Sequence, residues 1–74
     1  MKMSDFESFK ATIEVFLQKE NSTLVKYDLI TKKIWLTTGK QEPQAGEFVK
    51  ILKHLIDSLT NSEGWKILYK LKEP

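Results

Sequence analysis

Residues 23–38 read TLVKYDLITKKIWLTT, and this stretch decides the fold. It is rich in β-branched and aromatic residues on both sides of a polar-tipped segment, a composition typical of two strands and the turn between them. Asp28 starts the turn, where its carboxylate can accept hydrogen bonds from amides two residues on. The turn has no glycine or asparagine, so we expect Lys32 or a neighbour to adopt a left-handed backbone. The stretch predicts a β-hairpin.

A helix is predicted before the hairpin, over about residues 4–19. Ser4 and Glu7 form a capping-box pattern, which marks a helix start. Apolar residues then recur at helical spacing, and this stripe consists of Phe6, Phe9, Ile13, Phe16 and Leu17. Asn21 is the expected end signal, because asparagine tolerates the left-handed conformation that often ends helices.

A second helix is predicted after the hairpin, over about residues 44–60. A loop rich in glycine, proline and glutamine precedes it, from Gly39 to Gly46. Its apolar stripe consists of Phe48, Ile51, Leu52, Leu55, Ile56 and Leu59. Asn61 is its expected terminator.

The chain closes with a third predicted strand, over about residues 65–71. Apolar and aromatic residues alternate there with a lysine-rich set, as in a strand with one solvated face. The order helix, strand, strand, helix, strand predicts an α+β two-layer sandwich, with both amphipathic helices on one face of a mainly antiparallel three-stranded sheet. The residues expected to face the helices are Val25, Tyr27, Ile34, Leu36, Ile67 and Tyr69. Those expected to face away are Lys26, Asp28, Lys33, Trp35, Lys66, Leu68 and Lys70.

Length and composition indicate one domain over residues 1–74. The chain has no cysteine, a net charge of +2 and twelve lysines without arginine, so a disulfide framework and a thiolate metal site are excluded. The polar N-terminus and the short apolar runs predict neither a signal peptide nor a membrane span, and we expect a cytoplasmic protein that does not bind membranes. Domains this small often gain stability by association, so a homodimer stays open beside a monomer.

Catalytic machinery is not visible in the sequence. His54 is the only histidine, and Asp57 and Ser58 follow it on one predicted helix. A catalytic triad needs its parts on opposite sides of the histidine, usually supplied by separate elements. Glycines stand singly rather than in a phosphate-binding loop, and one histidine without cysteine makes a poor metal site. We therefore expect no enzyme, no cofactor and no metal.

The expected binding residues lie on the helix-free face of the sheet. They are Trp35, Lys33, Lys26, Lys66 and Lys70. Trp35 can anchor another protein, or a second copy of this chain, through the face or edge of the sheet. The alternative is single-stranded nucleic acid, with lysines on the phosphates and Trp35 stacked on a base. The favoured function is a small interaction or regulatory module.

Overall fold

The structure, a computed structural model, describes the backbone of residues 3–72 and the side chains of residues 7–72. Its elements are α1 (Met3–Lys19), β1 (Ser22–Asp28), β2 (Lys33–Thr38), α2 (Gln44–Thr60) and β3 (Lys66–Leu71). The helices pack against the sheet, which confirms the predicted α+β class. The side chains of Ser4 and Phe6, on which the capping box and the first position of the stripe depend, lie outside the described residues.

The three strands form a mixed sheet in the order β1-β2-β3. β1 and β2 are antiparallel, as expected of a hairpin. β3 runs parallel to β2, because α2 carries the chain back along the sheet before β3 begins; a parallel pair needs such a crossover. β2 is therefore central, and β1 and β3 are the two edges.

One face of β2 and both helices share a single core. Its buried members are Phe9, Ile13, Leu17, Ile34, Leu36, Phe48, Leu52, Ile56 and Trp65. Ser22 and Thr38 are the buried polar residues of this region, and the Ser22 hydroxyl donates to Thr38 Oγ1 at 2.8 Å. That hydrogen bond offsets the cost of burying the two groups. No helix in the described part of the chain is long and apolar enough to cross a membrane.

The chain reverses direction where the sequence predicts. Asp28 Oδ1 accepts hydrogen bonds from the amides of Ile30 at 2.9 Å and Thr31 at 3.1 Å, and Lys32 has the expected left-handed backbone, with φ 55°. Asn21 and Asn61 follow the two helices with φ of 54° and 50°. These four predictions are confirmed, and each depends on side-chain or backbone chemistry within a few residues.

The expectation that Val25 faces the helices is wrong, since its side chain is 59% exposed. Leu24 pairs with Leu36 and Lys26 pairs with Trp35, so two residue steps on β1 match one step on β2. Val25 is the extra residue of a β-bulge. The bulge shifts the alternation by one residue, and this shift allows both Leu24 and Tyr27 to pack against the core.

Neighbouring positions of α2 should differ sharply in their effect on stability. Leu52 is fully buried and Ile51 is 60% exposed. We expect Leu52→Ala to lower the free energy of unfolding by about 2–5 kcal/mol through cavity formation, and Ile51→Ala to change it by about 0.5 kcal/mol or less. Urea denaturation measures both values. Ile56→Val, expected to cost about 0.5–1.5 kcal/mol, provides a milder core variant. Equal losses in the free energy of unfolding for Leu52→Ala and Ile51→Ala would contradict the placement of α2.

Candidate functional site

The helices leave one face of the sheet uncovered, and we call it the outer face. It comprises three rows of residues in register: Asp28, Lys33 and Lys66; Lys26, Trp35 and Leu68; Thr23, Thr37 and Lys70. All five residues that the sequence singles out for binding lie in these rows, and so do the two other residues expected to face outward. Regular alternation along β2 and β3 places them there, together with the bulge in β1.

Trp35 stands at the centre of the outer face and is half-buried. The Nζ atom of Lys26 lies over its ring, 4.4 Å from the centroid, within the range of a cation–π contact. Leu68 is the neighbour of Trp35 on β3, opposite Lys26 on β1, and it is 43% exposed. A shallow cleft of about 320 Å³ runs past Trp35 and is lined in part by Val25, Leu68 and Lys70. The outer face therefore has an apolar centre large enough to receive a side chain.

Positive charge surrounds this apolar centre. Four of the nine outer-face positions are lysines, and Asp28 is the one acidic position. Lys33 and Lys66 are in register on neighbouring strands, an arrangement in which like charges repel. Ion pairs among the described residues join Lys10, Lys40 and Lys53 to acidic residues, and they include no outer-face lysine. Among the described residues, no outer-face lysine is thus held in an ion pair, although Lys26 contacts the Trp35 ring and Lys33 interacts with the charge of Asp28.

Asp28 is committed to the hairpin turn. The amide of Thr31, then that of Ile30 and the charge of Lys33 stabilise its carboxylate and hold the pKa of Asp28 below its ordinary value. Its charge is used to order the turn that positions Lys33 and Trp35. The carboxylate remains charged beside Lys33, so four lysines and one aspartate leave the outer face with an excess of positive charge.

The two tryptophans have different roles. Trp65 is only 3% exposed, and its indole Nε1 donates to Thr60 Oγ1 at 3.1 Å. Its ring lies 5.9 Å from that of Phe9 in the core. Trp65 therefore supports the fold, while Trp35 faces solvent and can contact a ligand.

Lys32 is a further hairpin lysine, but it does not belong to the outer face. Its ammonium group donates to Ser62 Oγ and to the Glu63 carbonyl at 3.1 Å. Its own carbonyl accepts from the Lys66 amide at 2.8 Å. Lys32 thus ties the hairpin turn to the connection before β3.

The only histidine does not form a triad with its helical neighbours. His54 is exposed on α2, and Asp57 Oδ2 accepts a hydrogen bond from Lys53 at 2.9 Å. Within residues 7–72, no group of three or more histidine, aspartate or glutamate side chains is placed to hold a metal ion.

A second depression, of about 500 Å³, lies between α1 and the free edge of β1. Its α1 side carries Lys10 and Glu14, whose charged groups are 3.7 Å apart. These opposite charges largely neutralise each other. The aromatic residue of the lining, Tyr27, packs against the core, whereas Trp35 lies on the outer face. It is a weaker candidate than the outer face.

The contribution of Val25 to the cleft is not predictable from regular strand alternation. Its apolar side chain suits the core, and only the spacing of Leu24 and Tyr27, three residues apart, signals that a bulge must separate them.

No protein-family model matches the chain, and neither the curated proteins nor the solved structures contain a significant match to it.

Acrylamide quenching of tryptophan fluorescence tests the contrast between the two indoles. In Trp35→Phe, the remaining emission comes from Trp65, and we expect it to lie at shorter wavelength and to resist acrylamide, because Trp65 is buried. The wild-type protein should show an additional, readily quenched component. Efficient quenching of the Trp35→Phe protein would contradict the assignment of Trp65 to the core.

The turn predicts a pH-dependent contribution to stability. The pKa of Asp28 is lowered from an ordinary value of 3.8, so its stabilising effect is present above that value and is lost as the pH falls through the lower, folded-state pKa. We expect Asp28→Asn to be less stable than wild type at pH 7 and the difference to shrink below about pH 4. Thermal unfolding across this pH range measures it, and a difference that does not change with pH would refute the role of the charge.

Proposed function

We propose that this chain is a non-enzymatic interaction module that binds another protein through its outer face. The observation that carries the proposal is the partly exposed apolar centre formed by Trp35, Leu68 and Val25 on a sheet face that the helices leave uncovered. A tryptophan at the centre of a patch with a charged rim is typical of binding hot spots. Trp35 is the anchor, and the four lysines select a partner with acidic residues around its contact.

A different protein fits the outer face better than a second copy of this chain. A two-fold symmetric dimer brings the same patch of each copy together. Four lysines and one aspartate on each outer face would then meet a surface of the same sign, and like-charge contacts across an interface are unfavourable. The charge pattern therefore favours a heterologous acidic partner over self-association through this face.

Single-stranded nucleic acid is the second candidate, and the excess of lysine around Trp35 supports it. One feature favours a protein partner instead. The chain has no arginine, because all twelve of its basic residues are lysines, and arginine is the residue best suited to bidentate contacts with guanine.

Site-specific photo-crosslinking in cells that naturally produce the protein tests the proposal. A photoreactive phenylalanine at position 25 probes the cleft, and the same residue at position 51 on α2 is the control, since Val25 and Ile51 are 59% and 60% exposed. We expect a specific protein adduct from position 25 and none from position 51. Trp35→Ala in the position 25 background should reduce the adduct strongly, because loss of an anchor costs about 2 kcal/mol or more, roughly 30-fold in affinity.

Three outcomes of the crosslinking would reject a heterologous protein partner. Equal adducts from positions 25 and 51 would show contact without specificity for the outer face. An adduct removed by nuclease would favour nucleic acid. An adduct between two copies of this chain would favour a homodimer, which sedimentation equilibrium would then show as a dimer that depends on Trp35.

A further inference from the structure

The two edges of the sheet differ in their capacity to accept another strand. β1 is interrupted by the bulge at Val25, and bulges are one way in which proteins prevent pairing at an edge. β3 pairs with β2 in unbroken register from Lys66 to Leu71. β3 is therefore the regular edge.

Unused backbone groups line the outer side of β3. The amides of Lys66 and Lys72 donate to carbonyls at residues 32 and 38, at 2.8 Å each. Because the direction of N–H groups alternates along a strand, those of Ile67, Tyr69 and Leu71 point away from β2. No further strand pairs with β3 in the described part of the chain. These residues provide a row of donors and acceptors that an extended peptide can pair with.

The side chains of β3 define which peptide fits this edge. Lys66, Leu68 and Lys70 alternate on the outer face, so a strand added beside them should carry acidic, apolar and acidic residues at matching positions. Self-pairing fits poorly: two copies paired antiparallel about Leu68 place Lys66 of one chain opposite Lys70 of the other.

We propose that β3 binds, by strand addition, an extended acidic segment of a partner protein. Acidic side chains of the segment lie beside Lys66 and Lys70, and an apolar side chain lies beside Leu68. The segment continues the row formed by Lys26, Trp35 and Leu68 by one residue. This inference rests on the proposed function, because it specifies how the partner reaches the outer face. An acidic segment is chosen as the ligand because its charge complements that of Lys66 and Lys70.

Synthetic peptides with alternate backbone N-methyl groups test strand addition directly. The parent peptide has glutamate, valine and glutamate at alternate positions, with threonine between them. Two isomers are N-methylated on one or the other alternate set of amides. An added strand uses only one set of its amides for pairing, so we expect the parent and one isomer to bind in fluorescence anisotropy and the other isomer to lose binding. Equal binding by both isomers, or no binding by the parent, overturns the proposal.

Charge exchange tests the assigned contacts. We expect Lys66→Glu combined with Lys70→Glu to weaken binding of the parent peptide roughly tenfold or more, because two attractive pairs become repulsive. A peptide with lysine in place of glutamate should bind this double variant better than the wild-type protein. Lys19→Glu combined with Lys50→Glu, at exposed positions on the two helices, changes the net charge by the same amount and is the control, which should bind like wild type. Equal weakening by this control shows general electrostatic attraction, and no rescue by the lysine peptide shows that Lys66 and Lys70 do not meet the charged positions of the peptide. Either result overturns the contacts.

The two proposals fail in distinguishable ways. A Trp35-dependent protein adduct from position 25, with no binding of the parent peptide, retains the outer face as the site and rejects strand addition. Peptide binding that is selective between the N-methyl isomers, without that adduct, supports the β3 edge and rejects the anchor role of Trp35. A single-stranded oligonucleotide that displaces the peptide and binds more tightly overturns the choice of a protein segment.

Discussion

The packing of both helices against one face of β2 is the constraint on which the rest of the structure depends. Ile34 and Leu36 are almost fully buried beneath the helices. Because side chains alternate along a strand, Lys33, Trp35 and Thr37 must then face the other way. The exposure of Trp35 is thus a consequence of where the core lies, and a change in register by one residue would bury Trp35 and expose two core residues.

The same constraint accounts for the difference between the two edges. β1 must supply Leu24 and Tyr27 to the core, but they are three residues apart, and regular alternation would send them to opposite faces. The bulge at Val25 resolves this conflict and also interrupts the edge. β3 supplies Ile67 and Tyr69, two residues apart, so it needs no bulge and stays regular. The unequal edges therefore follow from the spacing of inward-facing residues.

The sequence was sufficient for the features that depend on local chemistry. Apolar periods of about 3.6 and 2 predict the helices and strands, and the side chain of Asp28 predicts the turn. The left-handed backbone at Lys32 follows from a turn without glycine or asparagine. The parallel placement of β3 could not be predicted, because it depends on how α2 crosses the sheet. The bulge at Val25 changes the exposure of a single apolar residue without a strong local signal. The contact of Lys32 with Ser62 joins residues thirty positions apart, so no local sequence pattern can predict it.

The proposed binding function would account for features of the outer face that the fold does not require. Solvated lysines on an exposed strand protect a sheet from association, but this purpose needs neither a central tryptophan nor lysines in register. Trp35 adds exposed apolar area, and Lys33 beside Lys66 adds repulsion within a domain whose stability margin is small. A partner that covers Trp35 and Leu68 and brings acidic residues to the lysines would offset both costs. Departures from the local rules of folding are expected where a surface serves a function, and here they lie together on the one face that the helices leave free.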